Sequence, residues 1–112
     1  MLILNTKLIS QELKDYLQNP KKIIDVIPNK DFTLTIKFDN DEIRIYDLND
    51  KLFGVFEILK NLNKFNEVFI DKSGNVAWDI DTSIDSNTFW NNRIDICKDS
   101  IYLNSKPILL NI

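Results

Sequence analysis

The sequence predicts an α+β fold: a small antiparallel β-meander with hairpins and two or three short helices around a single layered core. Apolar and polar residues alternate strictly over residues 32–38, which is typical of a half-buried strand. Over residues 51–65 the apolar residues recur every three or four positions, which favours helix. The 112 residues, 44% of them hydrophobic, suffice for one packed core and leave no room for a second.

Residues 1–20 are predicted to form an N-terminal extension with one short helix, ahead of a single α+β domain over residues 21–112. Ser10 is a suitable N-cap for this helix, and Asn19-Pro20 ends it, because proline cannot continue a helix. The apolar face of the helix comprises Leu13, Tyr16 and Leu17. We expect this helix to cover a sheet edge or a core face, since single short amphipathic helices usually pack on their own domain.

Three strands are predicted next. Ile24 and Val26, before Pro28, indicate the first, and residues 32–38 form the second. The segment Asp39-Asn40-Asp41-Glu42 is expected to turn the chain, which places Phe38 opposite Ile43 on the third strand. The predicted buried face of this sheet comprises Phe32, Leu34, Ile36, Phe38, Ile43 and Ile45.

The middle of the chain is predicted to hold two short helical pieces and a second hairpin. Gly54 and residues 61–63 interrupt the helical pattern of residues 51–65. The second hairpin places Val68 and Ile70 on one strand and Val76 and Trp78 on the other, around a turn at residues 72–74. After it, Asp85 or Ser86 is expected to cap a helical turn that contains Phe89 and Trp90.

Residues 94–112 are predicted to form additional C-terminal strands. Ile94 and Ile96, then Ile101 and Leu103, flank a turn-prone segment at residues 98–100. Pro107 is expected to begin a final edge strand that continues through residues 108–110, because proline at a strand start removes no interior hydrogen bond of the sheet.

Several short motifs between residues 24 and 90 form an ordered set. They are Val26-Ile27-Pro28, Phe38-Asp39-Asn40-Asp41-Glu42, Asp47-Leu48, Gly54-Val55-Phe56, Lys64-Phe65, Val76-Ala77-Trp78 and Thr88-Phe89-Trp90. With this set, the chain resembles the bacterial family of domains of unknown function numbered 2442 over about residues 22–93. Asp41 stands where that family usually has a turn glycine, and Ile80-Asp81-Thr82 replaces its Asn-Gly. The resemblance implies an α+β domain, sometimes encoded beside a candidate toxin or joined to a DNA-binding helix-turn-helix, and no settled activity.

The residue inventory disfavours an enzyme, a cofactor and a zinc site. The chain has no histidine, which removes the commonest general base. Cys97 is its only cysteine, so four zinc ligands of the usual kinds cannot be assembled and a reducing compartment is expected. Gly54 and Gly74 are the only glycines, so a glycine-rich phosphate loop is absent. We therefore predict no catalytic residues and no bound cofactor.

The acidic run between the two tryptophans partly resembles a calcium loop. Its oxygen-bearing residues occupy alternate positions: Asp79, Asp81, Ser83, Asp85 and Asn87. A calcium loop also needs glycine at its sixth position and a bidentate glutamate at its twelfth, where this chain has Ile84 and Trp90. A solvated, helix-capping acidic turn is therefore the favoured interpretation, and no metal ligand is assigned.

A protein-binding role remains as the favoured hypothesis: an inhibitor that neutralises a basic toxin or nucleic-acid-binding effector, as antitoxins and phage anti-defence proteins such as anti-CRISPRs do. The net charge of −3 argues against direct binding to nucleic acid, although a nucleic-acid-associated regulator is the alternative. The candidate contact residues are Asp79, Asp81, Asp85, Trp90 and Arg93. Trp78 is assigned to the core, because it ends an alternating strand, whereas for Trp90 both a contact role and packing in the core remain open. No stretch approaches the roughly 20 apolar residues of a bilayer span, so we expect a cytoplasmic protein; self-association remains open.

Overall fold

The computed structural model describes residues 14–108, which form two antiparallel sheets and several short helices. The predicted α+β fold is therefore confirmed. The first sheet has the strand order β1–β2–β3–β7, and the second has the order β4–β5–β6. The strands are β1 (Ile23–Pro28), β2 (Thr33–Phe38), β3 (Ile43–Asp47), β4 (Phe69–Ile70), β5 (Val76–Asp79), β6 (Arg93–Ile96) and β7 (Lys106–Pro107).

The helices are all short. They are α1 (residues 14–18), a 3₁₀ helix at Gly54–Lys60, α2 (Leu62–Phe65), a 3₁₀ turn at Trp90–Asn92 and α3 (Lys98–Asn104). Within residues 14–108, no helix has both the length and the apolar character that crossing a bilayer requires.

Helix α1 packs on its own domain through Tyr16. Tyr16 is buried, stacks near Tyr102 with ring centroids 5.2 Å apart, and donates a hydrogen bond to the carboxylate of Asp99. Leu17, on the predicted apolar face, is exposed. The helix ends before Asn19-Pro20, as predicted, whereas the proposed cap Ser10 and Leu13 lie outside the described residues.

Strand β2 is the centre of the core. Leu34, Ile36 and Phe38 are completely buried on one face, as their alternation predicts. Phe32 precedes the strand in a left-handed conformation (φ 64°), and its ring packs edge-on against Phe65 at 5.3 Å between centroids. The positive φ of Phe32 thus allows its ring to join Leu34, Ile36 and Phe38 in the same core.

The predicted register between β2 and β3 is wrong by one residue. Phe38 pairs its N–H with the carbonyl of Glu42 (2.9 Å) and not with Ile43, and Asp41 adopts φ 69°. A three-residue loop with a left-handed last residue is a common hairpin connection. Because side chains alternate between the two faces, a slip of one residue places Ile43 and Ile45 on the opposite face, and Arg44 and Tyr46 point into the interior.

The strand predicted before Pro28 is present, and Val26 packs against the core. Ile23 is buried and pairs with Phe38, whereas Ile24 is exposed. A bulge between Ile23 and Asp25 causes this shift, because the extra residue changes which side chains face inward.

The β2–β3 register places the side chain of Arg44 in the interior, where it has hydrogen-bond partners. Arg44 donates from Nε to Ser105 Oγ (2.8 Å), from Nη2 to the Ser105 carbonyl (2.8 Å) and from Nη1 to Glu42 (2.8 Å). Its guanidinium also lies over the ring of Tyr102, 4.4 Å from the centroid. Among the described residues, no buried side-chain nitrogen or oxygen lacks a hydrogen-bond partner.

The two helical pieces and the second hairpin occur where they are predicted. Asn61 separates the 3₁₀ helix from α2 and caps α2 through hydrogen bonds from the N–H groups of Asn63 and Lys64. Gly74, at φ 84°, closes the turn between β4 and β5. The indole of Trp78 on β5 is fully buried, as predicted, and donates a hydrogen bond to the carbonyl of Phe65 (2.9 Å).

The prediction for residues 98–103 is wrong. Residues 98–104 form helix α3 and not a turn and strand, because the N–H of Lys98 is held by Asn75 (3.0 Å) and Asp99 favours a helix start. The helix buries Ile101, whose spacing from Leu103 resembles strand alternation. The edge strand near Pro107 is present as β7, although it comprises only Lys106–Pro107; residues 109–112 lie outside the described part.

Candidate functional site

The loop between β5 and β6 carries the candidate contact residues, and an ion pair closes its base. Asp79 and Arg93 are register partners, and the Arg93 Nε lies 2.8 Å from the Asp79 carboxylate. Ser86 Oγ donates to the same carboxylate at 2.7 Å. The hydrogen bond from Arg93, opposed by desolvation and helped by Ser86, lowers the pKa of Asp79. Asp79 and Arg93 therefore hold the loop, which is a structural role.

Asn92 organises the interior of this loop. Its buried amide donates to the Asp81 carbonyl (2.9 Å) and to Ser86 Oγ (2.9 Å), and its Oδ1 accepts from the N–H of Asp81 (3.0 Å). Sequence reasoning did not identify Asn92, because nothing in its neighbourhood distinguishes it from the other thirteen asparagines of the chain.

The carboxylates of Asp81 and Asp85 bind their own loop. Asp81 accepts hydrogen bonds from the N–H and Oγ of Ser83, which lower its pKa, and Asp85 accepts from the N–H of Asn87 (2.9 Å). Within residues 14–108, no three His, Cys, Asp or Glu side chains are grouped to hold a metal ion. The predicted helical turn after Asp85 is replaced by a hydrogen-bonded turn, and the short 3₁₀ turn begins only at Trp90.

The 3₁₀ turn presents Trp90 to solvent. Its side chain is 83% exposed, and that of the preceding Phe89 is 57% exposed. Tryptophan is seldom left uncovered to this degree on a protein surface, and exposed apolar area of this kind marks contact sites.

Other exposed apolar side chains continue this surface on both sides. Ile80 and Ile84 line a shallow groove with Phe89, and Val55 lies across a second groove from Trp90. We call the exposed side chains of Phe53, Val55, Ile80, Ile84, Phe89 and Trp90 the Trp90 face.

A third groove, of about 410 Å³, extends the Trp90 face along β6. Phe53 and Phe56 line one side of it, and Ile96 and Cys97 line the other. It shares Phe56 and Asp95 with the groove beside Trp90, and that groove in turn shares Asn91 with the groove lined by Ile80 and Ile84. Val55 is one of the apolar residues whose spacing over residues 51–65 predicts helix, and in the 3₁₀ helix its side chain is exposed.

The edge of the Trp90 face is acidic. Asp81, Asp85 and Asp95 are exposed, and none of them belongs to the ion pairs found among the described residues. The nearby Asp79–Arg93 pair is electrically balanced. The predicted contact residues therefore fall into three kinds: the Asp79–Arg93 ion pair, the exposed carboxylates of Asp81 and Asp85, and the exposed side chain of Trp90. The structure adds Asp95 and five further exposed apolar side chains to the site.

Comparison with known proteins gives a family for this chain. Residues 23–107, which are most of the chain, match the model of the family described as "Protein of unknown function (DUF2442)". Neither the curated proteins nor the solved structures contain a significant match.

Proposed function

The chain belongs to the DUF2442 family, and we propose that it is a non-enzymatic protein-binding module that neutralises a basic partner protein. One observation carries the proposal: Trp90 is 83% exposed and lines a groove together with the exposed apolar side chain of Val55. The function is that of an inhibitor, of the kind found among antitoxins and phage anti-defence proteins.

The apolar part of the surface supplies the anchor. A tryptophan that moves from water into a partner's pocket buries a large apolar area, and such residues often contribute most of the binding energy of an interface. Phe89 and Val55 flank Trp90 and shield the contact from water. We expect these side chains to govern the dissociation rate.

The acidic edge selects the charge of the partner. Asp81, Asp85 and Asp95 add three negative charges around the apolar centre, in a chain whose net charge is −3. Exposed charges around an interface mainly accelerate and orient the encounter. A partner with a basic surface around an apolar pocket therefore fits this site, and nucleic-acid-binding proteins carry basic surfaces.

Affinity capture with matched variants tests the proposal. Tagged wild-type protein, the Trp90→Ala variant and an Ile27→Ala control are incubated with cell extract after nuclease treatment. Ile27 is a suitable control because it is exposed on β1, outside the Trp90 face. We expect the wild type and the control to retain the same basic protein and the Trp90→Ala variant to lose it.

Kinetic measurements with the retained protein then separate the two parts of the surface. Replacement of Asp81 and Asp85 by asparagine removes both charges and keeps an oxygen acceptor for the N–H groups of Ser83 and Asn87, and only the hydrogen bond from Thr88 Oγ1 to the second oxygen of Asp85 is lost. We expect this double variant to show a lower association rate with weaker salt dependence, whereas Trp90→Ala raises the dissociation rate. Equal retention by the Trp90→Ala variant, or retention only of nucleic acid, would contradict the proposal.

A further inference from the structure

The indole of Trp90 is exposed, but the backbone around it is held on both sides. The N–H of Phe89 is bonded to the carbonyl of Asp85 (2.9 Å), and the N–H of Asn92 is bonded to the carbonyl of Phe89 (2.9 Å). The N–H of Arg93 is bonded to the carbonyl of Trp90 itself. Successive hydrogen bonds of this kind fix the backbone dihedral angles of a 3₁₀ turn. The exposed indole therefore projects from an ordered backbone.

The side chain of Asn92 joins the end of the loop to its beginning. Its Oδ1 accepts from the N–H of Asp81 (3.0 Å), and its Nδ2 donates to the carbonyls of Asp81 (2.9 Å) and Ile84 (3.3 Å). Asparagine has an acceptor and two donors on a short side chain, so one residue can make all of these bonds. Because Asn92 lies in the same 3₁₀ turn as Trp90, these bonds connect the turn to the opposite side of the loop.

A second branch of hydrogen bonds connects Asn92 to the base of the loop. Asn92 Nδ2 donates to Ser86 Oγ (2.9 Å), and Ser86 Oγ donates to the carboxylate of Asp79 (2.7 Å). Arg93 holds the same carboxylate at 2.8 Å. Asn92 and Ser86 are both buried, and a buried network whose members all have partners is rigid. Side chains therefore anchor the loop to β5 and β6 in addition to its backbone.

The composition of the loop also favours order. Residues 80–92 contain no glycine, the residue that gives a loop the most backbone freedom. Short polar side chains instead bond to the backbone nearby, as Asp81 does with the N–H of Ser83 (2.9 Å). The hydrogen bonds of Asn92 span eight and eleven positions of the chain and thus join these local turns to one another.

We propose that Asn92 is a positioning residue for the Trp90 contact, because it holds the indole in its exposed orientation before a partner arrives. The inference rests on the proposed function in treating Trp90 as the anchor of the interface. Asn92 is 7% exposed, so it acts on the partner through Trp90. A contact loop that is already ordered loses less conformational entropy on binding than a mobile loop with the same side chains, and it binds more tightly for that reason.

Backbone ¹⁵N relaxation of the protein alone tests the positioning without any partner. We expect an order parameter of about 0.85 for the N–H of Trp90 in the wild type, as in rigid secondary structure, and a fall toward about 0.6 in Asn92→Ala. The order parameters of β2 should not change. Asn87→Ala is the matched control, because Asn87 is exposed in the same loop and its side chain takes part in none of the hydrogen bonds found among residues 14–108. It should leave the order parameter of Trp90 as in the wild type.

A binding measurement then connects this order to affinity. The probe is the basic protein retained by the wild type in the capture experiment. Asn92→Ala should weaken its binding at least about tenfold, although every exposed side chain of the Trp90 face is still present. Ile27→Ala, outside this face, should bind it as the wild type does.

Ser86→Ala keeps the test decisive if Asn92→Ala does not fold. It removes the connection from Asn92 to Asp79 and leaves the bonds to Asp81 intact, so we expect a smaller fall in the order parameter of Trp90. A wild-type order parameter below about 0.6, or one that is unchanged in every folded variant, would overturn the positioning. Order at Trp90 without Trp90-dependent capture would count against the proposed function alone, whereas capture by a wild type with a mobile Trp90 would count against the positioning alone.

Discussion

The chain uses its two tryptophans in opposite ways. Trp78 is fully buried on β5, near Phe65, and its indole N–H is bonded to a backbone carbonyl. Trp90, twelve positions later, is almost entirely exposed on a 3₁₀ turn. A central strand between two neighbours directs alternate side chains inward, whereas a one-turn helix at the end of an irregular loop has no obligatory inward face. The residue type supplies the apolar area, and the backbone decides whether it serves folding or contact.

The two regions also differ in how they satisfy their charges. Arg44, near the core, is held by Glu42 and by two groups of Ser105, so its charge is fully used within the fold. At the Trp90 face, Asp79 and Arg93 neutralise each other, but Asp81 and Asp85 keep their charge exposed. The core region is thus closed to further partners, whereas the loop region retains both apolar area and charge.

The largest effect is expected from Trp78→Ala. Loss of the buried indole should lower the free energy of unfolding by about 3–5 kcal/mol, because transfer energy is lost and a cavity remains. Urea denaturation monitored by circular dichroism measures this change. A loss below about 1 kcal/mol would show that Trp78 is not part of a packed core.

The next effect separates the two faces of the first sheet. Ile36→Ala should cost about 2–5 kcal/mol, whereas Ile45→Ala should cost clearly less, because the hairpin register turns Ile45 away from the core. Leu34→Ala is a positive control with a cost similar to that of Ile36→Ala. Equal losses of unfolding free energy for Ile36→Ala and Ile45→Ala would instead support the register predicted from the sequence, in which Phe38 lies opposite Ile43.

Asn92→Ala should have an intermediate effect, confined to the loop. It removes the buried amide that joins Asp81 to Ser86, and unpaired buried groups of this kind cost about 1–3 kcal/mol. We expect faster hydrogen exchange at residues 80–92, measured by mass spectrometry, with little change in β1 and β2. Uniformly faster exchange would mean that the loop and the core unfold together.

A smaller effect is expected on the dependence of stability on acidic pH. The hydrogen bond from Arg93 lowers the pKa of Asp79 in the folded protein below its usual value near 3.8. The stabilisation that the Asp79–Arg93 ion pair provides is therefore complete above about pH 4, and it is lost as the pH falls through the lowered pKa of Asp79. Asp79→Asn should flatten that part of the stability profile in denaturation curves between neutral and acidic pH. Asp85→Asn, which leaves the ion pair intact, is the control and should retain the wild-type slope.

The smallest effect on stability is expected from Trp90→Ala. Because the side chain is already in solvent, its removal should change the free energy of unfolding by less than about 0.5 kcal/mol. Thermal melting of a dilute sample, in which self-association is negligible, measures this. A loss comparable to that of Trp78→Ala would remove the distinction between the two tryptophans.

Much of the fold follows from local patterns. The alternation over residues 32–38 correctly identifies the buried face of β2, and the interruption predicted at residues 61–63 correctly divides the helical segment, although the break is at Asn61 alone. Trp78 is also correctly assigned to the core. These features depend on periodicity and turn chemistry within a few residues, which a sequence displays directly.

The candidate site was predicted only in part. Sequence reasoning selected the acidic loop and Trp90, but it did not separate the Asp79–Arg93 pair from the uncompensated Asp81 and Asp85. It also did not identify Phe53 and Val55 as neighbours of the site, because they precede Trp90 by more than thirty residues and approach it only along the grooves that border β6.

The sequence by itself determined the α+β class, the order of most elements and the residue types available for contact. The tertiary structure decided the β2–β3 register, the helical state of residues 98–104 and the exposure of the Trp90 face. The left-handed backbone at Asp41 shifts the hairpin by one residue, and Asn75 holds the start of α3 from a distant turn. Such outcomes depend on contacts between residues far apart in the chain and on single backbone conformations, which composition and periodicity do not encode.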